Sequence, residues 1–259
     1  MSESILTERD GAVATIVLNN PDKRNALTKA SWRKLTDVVG ELSRDEGLRC
    51  IIVRGAGDKA FAAGADISEF PELRANAVQA KEYGDDNRLA LEALRACVHP
   101  TIAMIHGACT GGGLEIACCC DIRISGASGR FGVPINRLGH AFAYPELQAV
   151  IATVGRAMVL ELLLEGRIID AAEAERRGLV SRVVADEALA NEVRVAAERI
   201  AAAAPLSNRA SKKFVNRLEE TTPLSQAEIL ESYAACDSED YAEGVQAFLA
   251  KRPPVFHGR

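Results

Sequence analysis

Residues 59–67 read Lys-Ala-Phe-Ala-Ala-Gly-Ala-Asp-Ile, and residues 110–121 read Thr-Gly-Gly-Gly-Leu-Glu-Ile-Ala-Cys-Cys-Cys-Asp. Both stretches set small residues where backbone N–H groups can be approached closely, and Gly64 opens dihedrals closed to other residues. The triple glycine is costly in backbone entropy, and it stands at the mouth of a helix through Leu114-Glu115-Ile116-Ala117. A helix N-terminus carries free amides and a dipole that favours negative charge. Glu115 therefore reads either as a first-turn carboxylate complementing that dipole or as a proton carrier beside the Gly112 N–H. Residues 63–67 are likewise either a tight strand–helix turn or a run of amides open to a ligand. Two amide donors and one carboxylate suit chemistry in which a carbonyl oxygen becomes negative while a proton moves nearby.

Outward from these stretches the first half of the chain alternates strand-like and helical patterns. Strands are expected at Ala12–Leu18, Cys50–Val53, Thr101–His106 and Asp121–Ser125. Trp32, Leu35, Val38, Val39 and Leu42 recur at helical spacing, and a second helix spans Ala75–Ala96 with Arg88 and Glu92 on its solvent face. This alternation predicts an α/β arrangement with mostly parallel strands. Past residue 140 helices dominate: Val150–Leu164, Ala171–Gly178 and Ala188–Ala204, with one strand at Leu179–Val184. Pro205 marks the expected boundary between a core (residues 1–204) and a helical region (205–259) with helices at Ser207–Leu218, Ser225–Cys236 and Asp240–Lys251. Three helices too short for a core of their own are expected to pack on the body or on neighbouring subunits.

The chain has 259 residues, 48% of them hydrophobic and 26% charged, with a net charge of −5. Such a chain buries a sizeable core, and its charge gives no footprint for nucleic acid or an acidic membrane. Seven cysteines, mostly within apolar runs, argue for reduced thiols and a reducing compartment. Consecutive helical residues point about 100° apart, so Cys118, Cys119 and Cys120 do not converge on one metal ion. The N-terminus lacks a signal-peptide pattern and no apolar run is expected to reach membrane-spanning length, so the expected location is cytoplasmic.

The order and separation of the two glycine-containing segments resemble those of the crotonase (enoyl-CoA hydratase/isomerase) superfamily. So do Asn20-Pro21-Asp22-Lys23-Arg24-Asn25-Ala26-Leu27, Phe131-Gly132-Val133-Pro134, Gly166-Arg167-Ile168-Ile169-Asp170-Ala171 and Glu175-Arg176-Arg177-Gly178-Leu179-Val180. The closing stretch from Asp237 to Pro253 extends the likeness over essentially the whole chain. The resemblance implies a spiral of ββα units followed by a C-terminal helical trimerisation region, in homotrimers or homohexamers. It implies an acyl-CoA thioester as substrate, with coenzyme A part of that substrate and no separate cofactor or metal. The N–H groups of Ala65 and Gly112 would form the oxyanion hole, and Glu115 would be the acid/base. Ala63, Gly64, Asp66 and Ile67 would line the coenzyme A path, with Lys23 and Arg24 near the nucleotide. Phe248 and Lys251 would reach coenzyme A on a neighbouring subunit, or serve the helix alone.

One position departs from the hydratase pattern. The second catalytic glutamate follows the proline of the Phe-Gly-x-Pro segment, and here that residue is Ile135. A single base still suffices to move a proton between C2 and C4 of an enoyl thioester, so a one-base isomerase stands beside the hydratase. A catalytically weak acyl-CoA-binding member is a third reading. His140, Tyr144 and Glu146 are the groups near enough in sequence to substitute, although Glu146 is most simply a first-turn helix charge. The tail also resembles that of methylmalonyl-CoA decarboxylases, whose histidine and tyrosine are here Ala65 and Phe142, which ranks decarboxylation low.

Overall fold

A computed structural model describes residues 3–259. The chain opens with a hairpin, β1 (Ile5–Asp10) against β2 (Val13–Leu18), and its second strand is the first expected one. Thr28 caps α1 (Lys29–Ser43) by accepting the Ser31 N–H, and Trp32, Leu35, Val38 and Val39 are buried as their spacing requires. There follow β3 (Cys50–Gly55), β4 (Ala60–Ala62), the short α2 (Phe70–Leu73) and α3 (Ala77–Ala96). Next come β5 (Thr101–Ile105), β6 (Ala108–Thr110), α4 (Gly112–Cys119), β7 (Ile122–Gly126), β8 (Arg130–Gly132) and α5 (Tyr144–Glu165). The body closes with β9 (Ile168–Asp170), α6 (Ala171–Arg176), β10 (Arg182–Val184) and α7 (Asp186–Ala202).

The strands sort into two sheets. One holds six strands in the order β1-β2-β3-β5-β7-β10, parallel apart from the opening hairpin. The other holds β4-β6-β8-β9, parallel except at β8–β9. Successive pairs β3–β4, β5–β6 and β7–β8 send their first strand to the large sheet and their second to the small one. A helix then returns the chain for the next pair, which gives the expected spiral of ββα units. The small sheet went unseen in the sequence because its strands are three residues long, too short to show a period of two.

Three expectations are corrected. Leu179 and Val180 are buried but not in a strand: both N–H groups return to the Ala174 carbonyl and close α6, so β10 begins only at Arg182. The helix expected at Ser225–Cys236 stops at Glu231, and a separate 3-10 turn spans Ala234–Asp237. The third concerns membrane-spanning length: Tyr144–Glu165 is long and apolar enough to cross a membrane. Arg156 and Glu161 hide this by dividing the run, and Gly155 breaks it in space with φ +72° and ψ +166°. Ala149, Val150, Met158, Val159 and Leu162 are buried against the protein core.

Beyond α7 lie α8 (Pro205–Arg217), α9 (Gln226–Glu231) and α10 (Glu239–Leu249). Polar bonds fasten this region to the body: Lys212 Nζ donates to the His99 carbonyl at 3.0 Å and pairs with Asp121 at 2.9 Å. Asn216 donates to the Arg95 carbonyl at 3.1 Å. Large apolar side chains are left in solvent here, among them Leu218, Leu230, Tyr233, Phe248 and Leu249.

Candidate active site

The two glycine-containing segments meet because the spiral stacks them. β4 and β6 are parallel neighbours, so the chain leaving each one emerges at the same edge of the small sheet. Thr110 Oγ1 donates to the Ala63 carbonyl at 3.1 Å and ties the two exits together. Gly64 has φ +101°, and a Cβ there would lie 3.0 Å from the Thr110 oxygen and 3.1 Å from the Gly112 nitrogen. Gly113 is needed for a different reason: a Cβ would come within 2.2 Å of the Ala62 carbonyl oxygen, so α4 seats directly on β4.

This packing leaves two amides open. Leu27 N–H donates to the Gly64 carbonyl and Asp66 N–H donates to the Leu27 carbonyl, each at 2.8 Å, which brackets Ala65. At the mouth of α4, Gly111 N–H donates to Gly132, while Leu114 and Glu115 both donate to the Gly111 carbonyl. The N–H groups of Ala65 and Gly112 have no partner among the described residues, and both residues line one cavity of about 110 Å³. The glutamate of α4 lines it too.

Glu115 is 2% exposed, and one of its oxygens accepts a hydrogen bond from Asn87 Nδ2 on α3 at 3.2 Å. Burial holds its pKa well above the ordinary carboxyl value, and the charge of Glu146 pushes in the same direction. The Asn87 bond and the Arg74 charge oppose this shift without cancelling it. Glu146, on α5 and 6% exposed, is raised mainly by burial. It accepts the Ala143 N–H at 2.7 Å, which is the first-turn role expected of it, and it also lines the cavity. A residue read as a helix charge thus stands with Glu115 as a second buried carboxyl.

The other candidates fall differently. Tyr144 is 92% exposed and not in the cavity wall. His140 lines the cavity, and its Nε2 accepts a 2.6 Å hydrogen bond from Arg74 Nη2. Arginine has no lone pair to offer, so the ring proton sits on Nδ1 and the imidazole is neutral. Burial and the Arg74 charge both lower the His140 pKa, which agrees. Ile135 lines the wall as an apolar residue. Asn87 and Arg74 carry no sequence signal, because a helical asparagine and a loop arginine look like surface residues.

Along the expected coenzyme A path, Ala63, Gly64 and Ile67 line the same cavity. Lys23 Nζ bonds Asp66 at 2.6 Å and Ser68 Oγ at 2.9 Å, and the Arg24 carbonyl accepts the Ala63 N–H at 2.9 Å. The 20–27 loop therefore borders the site, with the Arg24 side chain exposed. Phe248 and Lys251 are not in the cavity wall: Phe248 is 83% exposed on α10, and Lys251 follows that helix with φ +54°. The thiols of Cys118, Cys119 and Cys120 are free and buried, and burial pushes that of Cys118 up to about 11.

The sequence model of the enoyl-CoA hydratase/isomerase family matches residues 8–259. A probable enoyl-CoA hydratase of Mycobacterium tuberculosis is 40% identical, with 99% of each chain covered. A short-chain-enoyl-CoA hydratase of Clostridium acetobutylicum is 34% identical over 96% of this chain and 95% of its own. The crystal structure of an enoyl-CoA hydratase/carnithine racemase from Magnetospirillum magneticum is 53% identical, with a TM-score of 0.98 over 100% of this chain and 97% of that one. This chain is thus a member of the enoyl-CoA hydratase/isomerase family of enzymes, within the crotonase superfamily.

Proposed function

We propose that the enzyme adds water reversibly to a 2-enoyl-CoA, with Glu115 and Glu146 as the two proton-handling carboxyls. The observation that carries this is their placement: two buried carboxyls from separate helices face the cavity into which the Ala65 and Gly112 amides open. The thioester carbonyl lies against those amides, and addition at C3 drives charge onto its oxygen, where preorganised N–H groups stabilise the enolate. One carboxylate takes the proton of the attacking water and the other delivers a proton to C2. Like charges in a buried site disfavour ionising both groups, so the pair holds one proton, as such chemistry requires. The reaction moves protons and adds water, and it needs no electron carrier. Ala63 and Ile67 line the coenzyme A path, and Lys23, Arg24 and Asp66 form its rim.

Isomerisation by Glu115 alone is the second reading, favoured by the bond that ties Glu146 to Ala143 and by the apolar Ile135 beside it. Parallel ultraviolet assays with a 2-enoyl-CoA and a 3-enoyl-CoA separate the two. Hydration by the wild type, lowered about 10²-fold or more in Glu146→Gln, is the expected result. Hydration unaffected by that substitution would remove Glu146 from the chemistry, and a product from the 3-enoyl substrate alone would leave a one-base isomerase.

We also propose assembly as homotrimers or paired trimers through the helical region, with Phe248 and Lys251 facing coenzyme A across a subunit boundary. The support is the exposed Leu218, Leu230, Tyr233, Phe248 and Leu249 of the tail, an apolar surface that association would cover. Sedimentation velocity is expected to give a species of three or six chains; a monomer at working concentration would overturn the assembly.

A further inference from the structure

The cavity contains a cation that hydration of a plain enoyl chain does not require. Arg74 follows α2, and its guanidinium stacks over the Phe70 ring at 4.6 Å and the Tyr83 ring at 5.2 Å. Those rings meet edge to face with centroids 6.0 Å apart, and the Tyr83 hydroxyl donates to the Leu27 carbonyl at 3.3 Å. The platform beneath the guanidinium is therefore fixed from below. The only side-chain hydrogen bond Arg74 makes among the described residues goes to His140, and no carboxylate there lies within ion-pair distance of it. A guanidinium has five N–H donors in a planar fork that matches a carboxylate. Most are unspent here. Arg74 is also the sole lysine or arginine in the cavity wall, which includes the apolar Ile67, Phe70, Ile135, Leu138 and Phe142.

We propose that Arg74 makes this enzyme selective for acyl-CoA thioesters whose acyl group carries a second carboxylate, remote from the thioester. The proposal rests on the cavity being the acyl site, as argued above. A half-buried guanidinium with one neutral partner is unfavourable to leave unpaired, and a bidentate carboxylate from the substrate completes it. His140 supports the same end of the acyl group. Because Nε2 accepts from Arg74, its proton is on Nδ1, which adds a neutral donor beside the cation. The cavity of about 110 Å³ is small and so suits a short acyl group. A competing role for Arg74 is to offset the charge of Glu115 and Glu146, and it does act on both. Neither carboxyl forms an ion pair or hydrogen bond with the guanidinium, so its fork stays open to a ligand even while one of them carries a charge.

Binding separates the two roles without depending on turnover. Titration calorimetry with the saturated thioesters glutaryl-CoA and butyryl-CoA compares acyl groups that differ by a terminal carboxylate. Wild-type enzyme is expected to bind glutaryl-CoA at least about tenfold more tightly, a charge-assisted pair being worth more than one decade of affinity. Arg74→Gln should erase that preference and Arg74→Lys should keep part of it, since lysine retains the charge but not the fork. Equal affinities in the wild type, or a preference that survives Arg74→Gln, would overturn the proposal. If Arg74→Gln fails to fold, Arg74→Lys carries the assignment: a preference undiminished in that variant would overturn the proposal as well. Hydration of glutaconyl-CoA against crotonyl-CoA then reads the same selectivity as a ratio of kcat/KM. A binding preference without turnover of either thioester would sink hydration and leave the carboxylate selectivity standing. Turnover of both without discrimination would do the reverse.

Discussion

Glu115→Gln is expected to lower kcat/KM for a 2-enoyl-CoA by about 10²–10⁴-fold, the range that a positioned general acid–base group supplies. The amide keeps the shape and still accepts the Asn87 bond, so acyl-CoA affinity should hold and the loss should fall on kcat. Glu115 is buried in the wall of the cavity into which the Ala65 and Gly112 amides open, and it is the one carboxyl on α4. The pH profile carries a second signature. Proton abstraction from water requires one ionised carboxylate, and burial raises the pKa of both Glu115 and Glu146. Activity in the wild type should therefore fall as pH drops through a value above the ordinary glutamate range, and this acid limb should shift in Glu146→Gln. The limb belongs to the pair, since the two groups titrate together. Turnover by Glu115→Gln within about threefold of wild type would remove Glu115 as the proton carrier.

Gly64→Ala should cost turnover although the residue offers no side chain to the chemistry. Its φ of +101° is strained for any L-residue, and the new Cβ would press on the Thr110 oxygen and the Gly112 nitrogen. Relief requires the 63–66 segment to move away from α4, which separates the two oxyanion donors. Losing one such donor costs about 10²–10³ in kcat. Gly57→Ala is the control: Gly57 also has positive φ (+71°), but nothing lies within 4 Å of the added methyl. It should lower thermal stability through strain and leave turnover intact. If both variants lost activity alike, general destabilisation rather than the oxyanion geometry would be responsible.

The helical and large-sheet elements were legible because their side chains alternate over enough residues to show a period. Trp32, Leu35, Val38 and Val39 mark one buried face, and Cys50–Val53 reads as a strand from its β-branched run. The small sheet was illegible, since β4, β6, β8 and β9 have three residues each and take their place only by pairing with one another. Leu179 and Val180 misled for the opposite reason: burial made them look like a strand, while their N–H groups close a helix.

Within the site, the sequence by itself determined the backbone chemistry. Gly64, Gly112, Gly113 and Glu115 stand out because glycine runs and a helix-start carboxylate are local signals, written within a few residues. The tertiary structure alone decided which side chains converge. Asn87 from α3, Arg74 after α2, and His140 and Glu146 around the start of α5 come from separate turns of the spiral, and no local pattern records that they share one cavity. Glu146 shows the difference most plainly. Its sequence position predicts a capping charge, which it is, while its burial opposite Glu115 depends on how α5 packs against α4 and is set by the fold.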